Sequence, residues 1–187
     1  MFPSDIDEQT KLLLLELRHA DEIFQVVDAH RDELREWLPW VDGTHSADNT
    51  REFIRTWIEK REVGDGFAAG FWHAGCFAGG FGLHAIDNNN LSTSIGYWLA
   101  PPYRGRGYIT KACRLLLDHA FGELHLNRVA IECAVENVKS RAIPERLGFA
   151  QEGVLRQAAK LPKGYADMVV YAMLAEDWNS ADKATFV

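Results

Sequence analysis

From residue 97 to 121 the chain reads YWLAPPYRGRGYITKACRLLLDHAF, and how this stretch is read decides the fold. Two glycines, Gly105 and Gly107, alternate with Arg104 and Arg106 just before a run with apolar residues at Cys113, Leu116, Leu117, Ala120, Phe121 and Leu124. That i, i+3, i+4 spacing predicts an amphipathic helix over 109–124, packed on a sheet, with Arg114 and Asp118 on its outer side. Glycine lets backbone turn sharply and come close to a ligand, and a helix start presents unpaired N–H groups with partial positive charge. Between 101 and 114 stand Arg104, Arg106, Lys111 and Arg114 and no acid, a local charge of +4 in a chain of net charge −7. The stretch predicts an anion site suited to a pyrophosphate. The bland alternative is a surface turn with solvated arginines; a strand before, a helix after and the charge contrast weigh against it. Two phosphate motifs fit poorly. A P-loop needs Lys then Ser or Thr after its second glycine, but Gly107 is followed by Tyr108, Ile109, Thr110 and Lys111; a dinucleotide fingerprint needs a third glycine where Thr110 stands.

Around this centre the patterning is that of alternating strands and helices. KLLLLELRH reads as a buried strand, and ADEIFQVVDAHRDELREWLPW as a helix that Pro39 stops. A second helix follows in SADNTREFIRTWIEKREVGDG, with Ser46 or Asp48 as N-cap and Gly64 as its stop. GFAAGFWHAGCFAGGFGLHAID reads as two strands about a turn near Gly75, and LSTSIGYWLA as another after an Asn/Asp turn at 87–90. RVAIECAV alternates Val129, Ile131, Cys133 and Val135 with Ala130, Glu132 and Ala134, a strand with two unequal faces. A short helix, VKSRAIPERLG, precedes two closing strands, GVLRQAAKL and DMVVYAMLAEDW. No repeat, linker or low-complexity run interrupts 187 residues, so one domain spanning 1–187 is expected.

Composition narrows the function classes. An acidic chain with a sequence pI near 5.5 is not a general nucleic-acid binder. Cys76, Cys113 and Cys133 show no CxxC spacing, so neither a disulfide framework nor a metal site is expected, and a reducing cytoplasm suits them. The acidic start MFPSDIDEQTK is not a secretory signal, and no apolar run approaches ~20 residues, so no membrane contact is expected.

RGRGYI resembles the acyl-CoA loop, Q/R-x-x-G-x-G/A, of the GNAT superfamily of N-acetyltransferases. The likeness extends through LREWLPWVD, IGYWL, ENVKSRAIPERLGFAQEGVLR and DMVVYAMLAEDW, and is greatest to the branch that acetylates the N-terminal alanine or serine of ribosomal proteins. It implies an α+β fold: a mixed, mostly antiparallel sheet of about seven strands, splayed between LSTSIGYWLA and RVAIECAV, with helices on both faces. It also implies acetyl-CoA as cosubstrate, pantetheine beside Tyr97, Trp98 and Leu99, and pyrophosphate on the amides of Arg104, Gly105, Arg106, Gly107, Tyr108, Ile109 and Thr110. Ile109 stands where the family has Gly or Ala, so its side chain must point away. Asn137 matches the position that binds the cofactor arm, and Ser140 the hydroxyl near the sulfur. Both also suit the N-cap of a short helix.

Amine attack on a thioester needs a neutral amine, donors for the oxyanion and a proton for the departing sulfur. Ser140 is the expected acid. Some members of the branch have a glutamate base in the segment LRQAAK, but this chain has Ala159 there. Glu136 is taken as the candidate base, beside Glu132, His84, Asp87, Glu33 and His30. An α-amine is roughly 3 kcal/mol cheaper to deprotonate at neutral pH than a lysine, so a missing base favours an α-amine acceptor. Trp40 is the expected acceptor-site aromatic; Asp42 nearby either pairs with the acceptor or holds a turn. The expected activity is therefore acetylation of a protein α-amine, with a small polyamine or aminoglycoside as the other enzymatic acceptor, a non-catalytic acyl-CoA sensor as the non-enzymatic reading, and oligomer formation left open.

Overall fold

The computed structural model describes residues 4–178. Eight strands form one sheet, β1 (Ser4–Asp7), β2 (Thr10–Leu14), β3 (Gly66–His73), β4 (Cys76–Asp87), β5 (Ser92–Leu99), β6 (Arg128–Ala134), β7 (Ala150–Leu161) and β8 (Gly164–Leu174), in the order β1-β2-β3-β4-β5-β6-β8-β7. Every neighbouring pair is antiparallel except β5–β6. The expected mixed sheet is present with one more strand than anticipated. The extra strand is β1, whose Asp5 pairs with Lys11 while Ile6 reaches the core; its four alternating residues are too short and acidic to stand out in sequence.

Strand alternation sorts the apolar side chains into two cores. Leu12, Ala69, Phe71, Ile95 and Leu99 point to one face and meet Cys113, Leu116, Leu117 and Ala120 of α4 (Tyr108–Asp118). Leu15, Ala68, Trp72 and Phe77 point to the other and meet Ala20, Ile23 and Val27 of α1 (Ala20–Ala29) and Ile54 of α3 (Ala47–Glu62). Helices thus cover both faces.

The long first helix read from the sequence is in fact broken. His30 leaves helical geometry (φ −120°, ψ 23°), a short α2 (Arg31–Arg35) follows, and Pro39–Gly43 forms a 3₁₀ segment. Arg31 holds that segment by donating to the Val41 and Thr44 carbonyls at 2.6 and 2.7 Å. Val27 and Leu34 lie seven residues apart, so the apolar stripe runs through the break undisturbed. Two further boundaries differ. α4 ends at Asp118 and continues as a π-helical turn, His119–Glu123, and β8 stops at Leu174, with 175–178 helical rather than extended. Ser46 caps α3 in a reciprocal box with Asn49, and Gly64 follows its end at φ +76°.

Candidate active site

The sheet opens at its only parallel seam. Ser92, Thr93 and Ser94 pair with Arg128, Val129 and Ala130, and there the β5–β6 ladder stops. β5 nevertheless continues to Leu99, bonded on its other side to β4, and β6 continues to Ala134, bonded to β8. Along 95–99 one edge of β5 therefore faces a gap, with backbone groups available to an extended ligand.

The gap leads to the glycine loop. Pro101–Tyr103 make a 3₁₀ turn, and Gly105 and Gly107 adopt the left-handed conformation at φ +78° and +79°. A Cβ at either glycine would touch nothing within 4 Å, so both are needed for backbone shape, and the space beside them is open to a ligand. The amide of Lys111 bonds the Gly107 carbonyl at 3.1 Å. Those of Tyr108, Ile109 and Thr110 therefore open α4 without a partner in the helix and form a ready anion site. Two features correct the simple amide cradle. The Arg104 amide is spent on the Pro101 carbonyl at 3.2 Å, and the Arg104 Nε donates to the Leu99 carbonyl at 3.0 Å, which ties the loop to the end of β5. Ile109 does turn its side chain away, into the core.

At the floor of the gap three groups meet. Ser140 Oγ lies 3.3 Å from the Tyr97 hydroxyl and 3.2 Å from Cys133 Sγ, and the Tyr97 hydroxyl donates to the Ser140 carbonyl at 3.1 Å. Ser140 belongs to α5 (Val138–Leu147), whose N-cap is Asn137: its side chain accepts from the Ser140 amide at 3.2 Å. Asn137 is thus a cap that fixes Ser140. Arg141 holds the same helix to β6 and β8 by donating to the Val135 carbonyl and to the Tyr171 hydroxyl. Burial pushes the Tyr97 phenol and the Cys133 thiol above their ordinary ranges. Burial, reinforced by Cys133, does the same to Cys113. All three are held protonated, and neither thiol is prepared as a nucleophile.

Beyond this cluster lies a cavity of about 520 Å³. Ala134, Val135 and Glu136 at the end of β6 form one wall, the β7–β8 hairpin supplies Lys163 and Asp167, and Glu36 and Trp37 close it from the end of α2. Its charged lining is three carboxylates, Glu36, Glu136 and Asp167, and one ammonium, Lys163, which pairs with Glu36 at 2.7 Å. Sequence reasoning reached Glu136 but not Glu36, Lys163 or Asp167, because nothing in the chain signals that residues 36 and 163 meet. Trp37 lines the cavity, whereas Trp40 is 43% exposed and stacks on Trp98 at 5.7 Å. Asp42 pairs with Arg35 at 2.9 Å. Asp87 accepts from the amides of Asn89 and Asn90, as a turn residue does. His84 stacks on Trp57 at 4.7 Å. None of these three lines the cavity, nor do Glu132, Glu33 and His30.

The acetyltransferase (GNAT) domain model matches residues 11–150. This chain belongs to the GNAT acetyltransferase family. Its activity class is accordingly N-acyl transfer. YdaF of Bacillus subtilis (strain 168), provisionally named a ribosomal N-acetyltransferase, is 38% identical over 180 residues, covering 96% of this chain and 98% of YdaF. The ribosomal-protein-serine acetyltransferase of Escherichia coli (strain K12) is 26% identical over 171 residues, or 91% and 96% of the two chains. A solved structure of RimL, a ribosomal L7/L12 alpha-N-protein acetyltransferase in complex with coenzyme A, superposes with a TM-score of 0.87 at 25% identity, over 92% of this chain and 98% of that one. Among the described residues no helix is long and apolar enough to cross a membrane.

Proposed function

We propose that this GNAT protein transfers acetyl from acetyl-CoA to an α-amine of a protein, with the N-terminal Ala or Ser of a ribosomal protein as the acceptor class, in the cytoplasm. The observation that carries this reading is the open β5 edge beside a glycine loop with unpartnered amides; a cavity whose carboxylates outnumber its ammonium lies at the end of the facing strand, β6. The edge at Tyr97, Trp98 and Leu99 suits an extended amide-bearing arm. The amides of Gly105 through Thr110, with the Arg104 and Arg106 side chains, suit a pyrophosphate. Acetyl-CoA supplies an activated thioester. The chain supplies the rest.

Glu36, Glu136 and Asp167 attract a cationic amine into the cavity. Glu136 sits on the β6 wall, one residue before the Asn137 cap, and accepts the amine's proton directly or through a water. Ser140 Oγ, which at rest donates to the Tyr97 hydroxyl, delivers its proton to the departing sulfur, and the proton that Glu136 took from the amine returns to Ser140 through solvent. The amine attacks the thioester directly, and neither buried thiol is assigned an acetyl group. The description of RimL as an alpha-N-protein acetyltransferase supports the α-amine acceptor.

The test is acetyl-CoA-dependent thiol release with three acceptor sets: peptides with free N-terminal Ala or Ser, the same peptides blocked at the N-terminus with a free lysine, and polyamines with aminoglycosides. Release confined to free α-amines is expected. Release with the small amines alone would overturn the protein-acceptor reading, and binding of acetyl-CoA with no turnover on any acceptor would overturn the enzymatic one.

A further inference from the structure

His73 stands at the end of β3, beside the glycine loop. One imidazole grips both neighbours of Gly107. Its Nε2 lies 3.2 Å from Arg106 Nη1, and its Nδ1 lies 3.0 Å from the Tyr108 hydroxyl and 2.9 Å from Thr10 Oγ1. The hydrogen-bond roles follow from the partners. A guanidinium only donates, so Nε2 is the bare nitrogen, and the single Nδ1 hydrogen is shared between the Tyr108 hydroxyl and the Thr10 hydroxyl, which is fully buried on β2 with its own proton on the Asp7 carboxyl of β1. The groups facing the ring are therefore Arg106, Tyr108, Thr10 with Asp7 and Lys111 behind it, and Tyr103, whose ring lies edge-on at 5.8 Å.

We infer that His73 is the positioning residue of the glycine loop, and that its ring holds Arg106 and Tyr108 in the arrangement that receives the cofactor's phosphates. The inference rests on the assignment of that loop to acetyl-CoA. Gly105 and Gly107 leave the segment with little conformational preference of its own, so whatever fixes residues 106 and 108 determines how much ordering the ligand must cover on binding. His73 spans both from a rigid strand.

The experiment measures coenzyme A affinity and acetyl-CoA steady-state kinetics for wild type, His73→Leu, His73→Gln and Tyr108→Phe. His73→Leu is expected to raise KM for acetyl-CoA and Kd for coenzyme A about tenfold, with kcat at saturation unchanged. His73→Gln keeps one acceptor for Arg106, so its loss is smaller. Tyr108→Phe leaves the imidazole in place and should also lose affinity with kcat unchanged, which covers the case in which His73→Leu folds poorly. Equal KM and Kd in wild type and both His73 variants would overturn the inference, as would a fall in kcat with KM unchanged. Gly107→Ala, which strains the loop directly, separates the two levels. Impaired binding there with intact His73 variants overturns the role of His73 alone; wild-type binding in Gly107→Ala overturns the loop assignment and this inference together.

Discussion

Replacing Ser140 with alanine separates a proton donor from a packing residue, because the structure limits how much stability the change can cost. Ser140 Oγ makes one side-chain hydrogen bond, to the Tyr97 hydroxyl at 3.3 Å, and a weak contact with Cys133 Sγ at 3.2 Å. The bond that Tyr97 donates goes to the Ser140 carbonyl, and the Asn137 cap bonds the Ser140 amide. Both are backbone groups and survive the substitution. The stability cost is therefore about one neutral hydrogen bond, about 1 kcal/mol, which in a chain of this length lowers Tm by about 2–4 °C. Loss of a positioned general acid lowers kcat about 10²- to 10⁴-fold, equivalent to about 3–5 kcal/mol of barrier. Thermal melts and saturating thiol-release assays on the same preparation give the two numbers side by side. If kcat stays within about threefold of wild type while Tm drops by a few degrees, Ser140 is structural and the proton comes from elsewhere.

Asn137→Ala should cost about 1 kcal/mol, read as a lowered urea midpoint at unchanged slope, because it removes the only side-chain cap of α5. Burial holds His84 below its ordinary pKa of 6.5, with a smaller contribution from Lys60, so the unfolded chain takes up the proton first. Stability is then full above pH 6.5 and declines as pH falls from there through the depressed value, and a His84→Gln variant should flatten that part of a Tm-against-pH curve. At the cavity, Glu36→Gln should raise KM for a cationic peptide acceptor a few-fold, and Lys163→Gln should lower it. Both effects should shrink as salt is added, and a salt-independent response would argue against charge attraction at that mouth.

The loop and the helix after it were legible because their signals are local. Two glycines, four basic residues and an i, i+3, i+4 stripe lie within one stretch, and the structure places Gly105, Gly107 and Cys113, Leu116 and Leu117 accordingly. Capping was nearly as clear: Ser46 and Asn137 were both open as caps on sequence and both cap helices. The opening of the sheet was not readable from the residues, since nothing in STSIGYWL or RVAIECA says where a parallel ladder stops; only resemblance supplied it. The cavity was missed for a related reason. Glu36 and Lys163 are joined by tertiary structure across 127 residues of sequence, and periodicity carries no information at that range. His73 escaped notice because a lone histidine at a strand end has no pattern until Thr10, Arg106 and Tyr108 are brought around it.

The short parallel seam has a mechanical consequence. Within the sheet, five strands on one side and three on the other are paired only where Ser92–Ser94 meet Arg128–Ala130. Carrying that register forward would set Tyr97 opposite Cys133, so two strands with free edges face each other with every inducement to zip closed. The Tyr97 phenol, anchored on Ser140 and 3.9 Å from Cys133 Sγ, acts as the spreader bar between them. The serine assigned to moving a proton is thus also the anchor of the side chain that spans the gap. Trimming Tyr97 to a small residue would therefore change the shape of the slot as well as its chemistry, whereas Tyr97→Phe would keep most of the span and remove only the tether.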